Sequence, residues 1–471
     1  MYKVTKKTML YVIIQLFVLV AENVVLNMVS VDNLGLWCAI ASTCIVINIV
    51  IQTIGLSSEG QLFSLGGIFI TFSYLIHCSY AILMALNAFS SSSAIYTVFF
   101  VDHGMSSFTQ AIKYAMNGIS ILFIGYKIVA KNRVSSYIKD NVDCNDFNYE
   151  ILKKYGYILS KCFGIIYFIS TIRMVMLVLQ NGSYNNLNEI TSSFFMSLAL
   201  NLQAFFFEGL YLLMIYYKKR GNERKCRVMF VIITVALVLS FLTGARSRAI
   251  MILLVMILFW VNDIETIKLR KLLIYVISGL LMLQLMIAVR TSRDVGFSLK
   301  GVIESFFNFE DNVFHETLNE FGSSIFVTAG FMNGYEVGHP VDFIIKELGS
   351  IIPRISAWGG EIFLSSTRRT GFEESYHLGV TYIADFYYYF GVYGQYLLAL
   401  YGAWIAILDN KISEWRSKGK YIAMAVAIPG LVLVFNSVRA SATLGLKMFL
   451  YSYIIFMILR VFFSKGKIGK L

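Results

Sequence analysis

The chain has 471 residues, of which 57% are hydrophobic, 15% aromatic and only 14% charged, against about a quarter charged in a soluble domain. With a mean hydropathy of +0.68 that composition excludes an ordinary soluble enzyme. The formal net charge of +12 does not point to nucleic acid, because most Lys and Arg fall in short turns between apolar runs, where they orient helices relative to the cytoplasm.

Apolar runs of roughly twenty residues are what a bilayer core demands. They predict about twelve transmembrane helices near 9–29, 34–56, 62–88, 107–130, 156–179, 191–217, 228–243, 248–262, 272–289, 380–408, 421–437 and 445–463. The expected fold is thus an all-α polytopic integral membrane protein. Only 3 Pro in the chain agree with long helices whose backbone groups are satisfied internally. Met1 to Lys7 gives a basic start, but the run that follows is long enough to span and lacks a small-residue cleavage site, so it is expected to stay as the first helix.

Every second turn is basic. Lys127, Lys131, Arg133 and Lys139 form one such group, Lys218, Lys219, Arg220, Arg224, Lys225 and Arg227 the next. Lys268, Arg270 and Lys271, then Lys411, Arg416, Lys418 and Lys420, continue the series. It ends at Lys465, Lys467 and Lys470 and predicts that both termini are cytoplasmic. The expected division is 1–289 (helices one to nine), 290–379 (a large extracytoplasmic loop) and 380–471 (helices ten to twelve). Asp140, Asp143 and Asp146 lie in the segment 131–154, which lacks the glycine and closing glutamate of a calcium loop and reads as a solvated connector. Ser90 to Ser93 is a short connector, and the chain shows no internal repeat of the inverted kind found in many transporters.

Within the large loop, Val302, Phe306, Phe309 and Val313 recur at helical spacing with Glu304 opposite. Ile344, Ile345, Leu348, Ile351 and Ile352 form a second set closed by Gly349 and Pro353. Both are too short to span and predict interfacial helices.

Outward cations in such a chain need anionic partners. Arg246 and Arg248, in Gly244-Ala-Arg-Ser-Arg-Ala249, either snorkel to lipid phosphate or grip a lipid-linked pyrophosphate, whose oxygens suit the planar, bidentate guanidinium. Arg290 and Arg293 share a helix face and are either helix-end anchors or further phosphate ligands. Arg354, Arg368, Arg369 and Arg439 are outer-face cations of the same kind. Around Arg368 and Arg369, Glu361 and His377 supply a carboxylate and an imidazole of the type that activates a hydroxyl beside an anion clamp, or an internally paired polar loop. Asp385, among the tyrosines of 382–393, must pair or be functional. The five histidines and six cysteines show no ligand spacing, so no metal and no disulfide framework is expected.

The Gly244-Ala-Arg-Ser-Arg segment, the long loop between late spans and the stretch Gly379-Val-Thr-Tyr-Ile-Ala-Asp-Phe-Tyr-Tyr-Tyr-Phe-Gly-Val-Tyr-Gly394 resemble the Wzy family of O-antigen and oligosaccharide repeat-unit polymerases over about 242–408. The resemblance implies a GT-C-like plan in the bacterial inner membrane. It implies transfer of a growing glycan from undecaprenyl pyrophosphate to the terminal sugar hydroxyl of a new lipid-linked repeat unit, for O-antigen or capsule, with no metal, cofactor or nucleotide sugar. It further implies an arginine clamp at Arg246, Arg248 and Arg290, and acceptor activation by His377 with Glu361 or Asp385 as substitutes. Implied partners are undecaprenyl-pyrophosphate-linked oligosaccharides and membrane lipids, with a chain-length regulator as a further candidate. An O-antigen ligase and a lipid-linked oligosaccharide flippase are the alternative readings. A flippase is expected to carry charge along its spans, whereas this sequence places nearly all charge near predicted helix ends.

Overall fold

The computed structural model describes residues 5–86, 94–132, 146–181, 194–242, 246–264, 284, 288, 298–307, 318–319, 321–334, 338–352, 363–371 and 379–464. Every regular element among them is helical. In chain order these are α1 (Lys6–Met28), α2 (Leu34–Ser57), α3 (Leu65–His77), α4 (Ser79–Ala85), α5 (Ala94–Val129), α6 (Asp146–Asn181), α7 (Phe194–Lys219), α8 (Glu223–Leu242) and α9 (Arg246–Phe259), which runs on into a wide turn at Trp260–Ile264. They continue with α10 (Leu299–Phe307), α11 (Ile325–Met332), α12 (Pro340–Gly349), α13 (Ser366–Arg369), α14 (Tyr382–Phe390), α15 (Gly394–Ser417), α16 (Tyr421–Asn436) and α17 (Leu446–Ser464).

Helices occupy the apolar runs read from the sequence, except for 272–289, where only Gln284 and Ala288 are described. Among the described residues, Lys6–Met28, Leu34–Ser57, Tyr149–Leu177 and Tyr382–Ser417 are long and apolar enough to cross a membrane. The pair α3 and α4, bent by 48°, makes a fifth if it is one span. The chain is a helical membrane protein with four or five candidate spans by this measure. Part of the expected 131–154 connector is helical, since α6 begins at Asp146.

The chain divides into two compact units, one of residues 1–139, 314–413 and 436–446, the other of 140–313, 414–435 and 447–471. In the first unit α1 buries Thr8, Gln15 and Glu22, spaced by seven, together with Leu26, while Phe17, Val20 and Met28 are exposed. An apolar outside over a polar seam is the arrangement lipid favours, because lipid tails give no hydrophobic drive between helices and hydrogen bonds must join them. Close backbone approach does the rest. A Cβ at Gly125 of α5 would lie 2.0 Å from the Ala399 carbonyl oxygen, and one at Gly402 of α15 would lie 2.1 Å from that of Leu122, so these two helices touch at glycines.

In the second unit α6 and α7 pack the same way, with a Cβ at Gly209 reaching 2.5 Å from the Ser160 nitrogen. Glu208, in the middle of α7, is buried and accepts from Ser452 Oγ at 2.9 Å. Arg416 binds Asp263 through two nitrogens, at 2.6 and 3.2 Å. Glu22 and Glu208 depart from the expectation that charge stays near helix ends. Each sits in an apolar run long enough that one acid does not interrupt it, so run length alone conceals them.

Candidate active site

Asp385 is the centre of the first unit's polar cluster. Thr381 starts α14, its Oγ1 accepting from Ala384 N at 3.2 Å. This cap places Asp385 in the first helical turn, where the helix dipole favours an anion. The side chain is fully buried and both its oxygens are taken. Ser366 Oγ of α13 donates to Oδ1 at 2.5 Å. Ala442 N donates to Oδ2 at 2.9 Å, Ser441 Oγ donates to the same oxygen, and Lys346 Nζ of α12 lies 3.4 Å from it.

Helix α12 brings Lys346 here because its apolar and polar faces are reversed relative to a soluble helix. Phe343 packs on Phe386 and Tyr389, with ring centroids 5.8 and 5.6 Å apart, and Glu347 is the helix's buried residue. Val341, Ile344, Leu348 and the following Ile352 are 50–58% exposed. The apolar set read from the sequence therefore faces outward, and the charged pair Lys346 and Glu347 faces protein. Lys346 also donates to Ser441 Oγ and stands 5.4 Å over the Tyr389 ring.

Residues 437–445, between α16 and α17, complete the cluster as irregular backbone. Tyr382 N bonds Ser437 O at 2.9 Å, and Tyr401 Oη reaches Ser437 Oγ and the Thr443 carbonyl, both at 2.9 Å. Two acids are then gripped alike, each by a hydroxyl and the next residue's N–H. Asp385 has Ser441 Oγ and Ala442 N, while Glu347 Oε1 has Thr443 Oγ1 at 3.1 Å and Leu444 N at 2.9 Å.

Burial pushes the Glu347 carboxyl up, against the opposing effects of those bonds and of the Lys346 charge. An acid whose folded value is raised contributes stability that is full below its unfolded value, near 4.5, and is lost as pH rises through the folded value. Glu347→Gln keeps an acceptor for Thr443 and Leu444 without a charge to bury. The expected result is a thermal midpoint at pH 7 equal to or above wild type, and loss of the gain that wild type shows on acidification.

Of the arginines read from the sequence, Arg369 grips Asp342 Oδ2 through two nitrogens at 3.1 Å and lies 5.7 Å over the Tyr388 ring. Arg368, beside it on α13, is exposed. Arg439 stands 5.6 Å over the Phe321 ring. Those three and Asp385 belong to the first unit. Arg246 and Arg248 form the opening turn of α9 in the second unit, and their side chains lie outside the described residues. Arg290, Arg293, Arg354, Glu361 and His377 also lie outside them. His77 is buried and packs edge-on against Tyr382, centroids 5.4 Å apart.

Sequence reasoning missed Lys346, Glu347, Ser366 and Ser441. The legible signal was twofold: a charged pair interrupting the apolar run Phe343-Ile-Ile-Lys-Glu-Leu348, and the hydroxyl-rich Ser437-Val-Arg-Ala-Ser-Ala-Thr443 between two apolar runs. The cluster holds cations, occupied carboxylates and hydroxyls together in one hydrogen-bonded frame. That suits binding and orienting an anion more than taking a proton at Asp385.

Comparison with curated proteins and with solved structures yields no match. The family model for the O-antigen polysaccharide polymerase Wzy matches residues 8–468, well beyond the 242–408 stretch that carries the resemblance by motif. The helical membrane architecture is in keeping with that match, and the chain belongs to the Wzy O-antigen polysaccharide polymerase family.

Proposed function

We propose that this protein polymerises lipid-linked oligosaccharide repeat units at the outer face of the bacterial inner membrane. A growing glycan leaves undecaprenyl pyrophosphate and joins the terminal sugar hydroxyl of a new undecaprenyl-pyrophosphate-linked unit. The family match over 8–468 carries this reading. The proposed topology has about twelve spans, both termini in the cytoplasm and 290–379 outside. The exposed apolar face of α12 supports laying that helix on the outer membrane surface.

Negative charge develops on the pyrophosphate as the glycosidic bond breaks, so cations held ready for it lower the barrier. The leaving group is already a pyrophosphate, and the proposed transfer needs no metal or nucleotide sugar. The clamp is assigned to Arg246, Arg248 and Arg290, with Arg293, Arg354, Arg368, Arg369 and Arg439 as further anion ligands. Arg246 and Arg248 open α9, where the dipole adds positive charge, which supports an anionic partner there. His377, with Glu361, is assigned to activate the acceptor hydroxyl. Asp385, its oxygens filled by four donors, is assigned a positioning role.

Arg246→Ala and Arg290→Ala are each expected to abolish the glycan ladder at normal protein levels, since losing one charge-assisted contact in the transition state costs on the order of 10²-fold or more in rate. Full-length chains from both variants would remove the clamp. Buried Glu22 and Glu208 are the observation that a lipid-linked oligosaccharide transporter would share, and this second reading predicts that cells without the protein display no repeat units.

A further inference from the structure

The polar seam of the first unit joins six side chains from four helices. Asn48 Nδ2 of α2 donates to Glu22 Oε2 of α1 at 2.5 Å, and Gln15 Nε2 donates to Asn48 Oδ1 at 2.6 Å and to Ser120 Oγ of α5 at 3.1 Å. Ser120 Oγ lies 3.4 Å from Tyr74 Oη of α3, which accepts from Gln52 Nε2 at 3.0 Å. All six are at most 3% exposed. The network is short of donors. Glu22 Oε1, Gln15 Oε1 and Gln52 Oε1 are all buried and without a hydrogen-bond partner, and no described cation pairs with Glu22.

A half-satisfied buried network is costly, and a carboxylate inside candidate spans marks an ion or proton site more often than a packing residue. A proton on Glu22 would cancel the charge but supply a single donor to three vacant oxygens. One small cation can take several oxygens together, and carboxylate, amide and hydroxyl oxygens are the ligands hard cations prefer. We propose that the seam at Glu22, Gln15, Asn48, Gln52, Tyr74 and Ser120 binds one small monovalent cation of the sodium type, which ties α1, α2, α3 and α5 together.

The test is the thermal midpoint of the full chain in nanodiscs of fixed lipid composition, in NaCl against choline chloride at equal ionic strength. Binding to the folded state alone raises stability with concentration, so the midpoint is expected to rise by about 1–2 °C per tenfold increase in NaCl above the dissociation constant, the shift that about 1.4 kcal/mol gives in a chain of this length. Glu22→Gln is expected to remove the sodium response while remaining folded. If that variant does not fold, Gln52→Leu serves, expected to weaken the response at least about tenfold in sodium concentration. Equal wild-type midpoints in sodium and choline would overturn the proposal. So would a midpoint that rises on acidification with no sodium response, since the site then holds a proton. A Glu22→Gln chain that keeps the full sodium shift would overturn it as well. None of these readouts depends on polymerisation, so the site stands or falls apart from the proposed function.

Discussion

Asp385→Ala is expected to abolish the glycan ladder and to lower stability by about 3–5 kcal/mol, the cost of breaking a buried charge pair from one side. The alanine leaves Lys346 Nζ, Ser366 Oγ, Ser441 Oγ and Ala442 N facing a cavity with no acceptor. It also frees α12, α13 and residues 437–445 from their common anchor. Asp385→Asn separates the parts of this effect. Its amide nitrogen can replace Oδ1, because the Ser366 hydroxyl can turn and accept, while its oxygen keeps the Ser441 and Ala442 bonds. What it loses is the charge opposite Lys346. The expected order of thermal midpoints is wild type, Asn, then Ala. A base at this position would predict instead that Asn is as inactive as Ala with unchanged stability.

Lys127→Met is expected to destabilise the chain by a similar amount, about 3–5 kcal/mol, with no direct part in chemistry. Lys127 is fully buried and binds Glu59, Gln61 Oε1 at 3.0 Å and the Gly55 carbonyl at 3.1 Å. Glu59 in turn accepts from Thr8 Oγ1 at 2.7 Å. The pair therefore ties the start of α1 and the end of α2 to the end of α5. The methionine fills much of the lysine's volume but leaves Glu59 as an isolated buried anion. Replacing both, as Lys127→Met with Glu59→Gln, removes that charge, and most of the lost stability should return. The thermal midpoints of the two single variants and the double variant form a cycle that measures the coupling. Additive losses would show that the pair does not act as a pair.

The helices were legible because a bilayer fixes how long an apolar run must be. The runs at 34–56, 421–437 and 445–463 end within one residue of Leu34–Ser57, Tyr421–Asn436 and Leu446–Ser464. The break between α3 and α4 was not legible, since the sequence around Cys78 has neither proline nor glycine to mark it. The kink in α5 at Gly104, with φ of 74°, and the interruption at Gly391, with φ of 57°, needed the backbone to be seen. Asp385 was legible as a carboxylate stranded among tyrosines. Its partners were not, because Lys346 and Ser441 lie 39 and 56 residues away and no periodicity links residues so far apart. Arg369 was read as an outer-face cation, yet it arrives already bound to Asp342, a pairing invisible without the fold.

The measurement that tests polymerisation most directly is a gel of surface glycan from cells lacking the protein, beside the same cells complemented with wild type, with membrane levels checked by blot. A single repeat unit without a ladder in the deletion, and a restored ladder on complementation, is the expected result. A ladder that persists in the deletion would contradict the polymerase assignment, and a surface bare of even one unit would reassign the protein to transport.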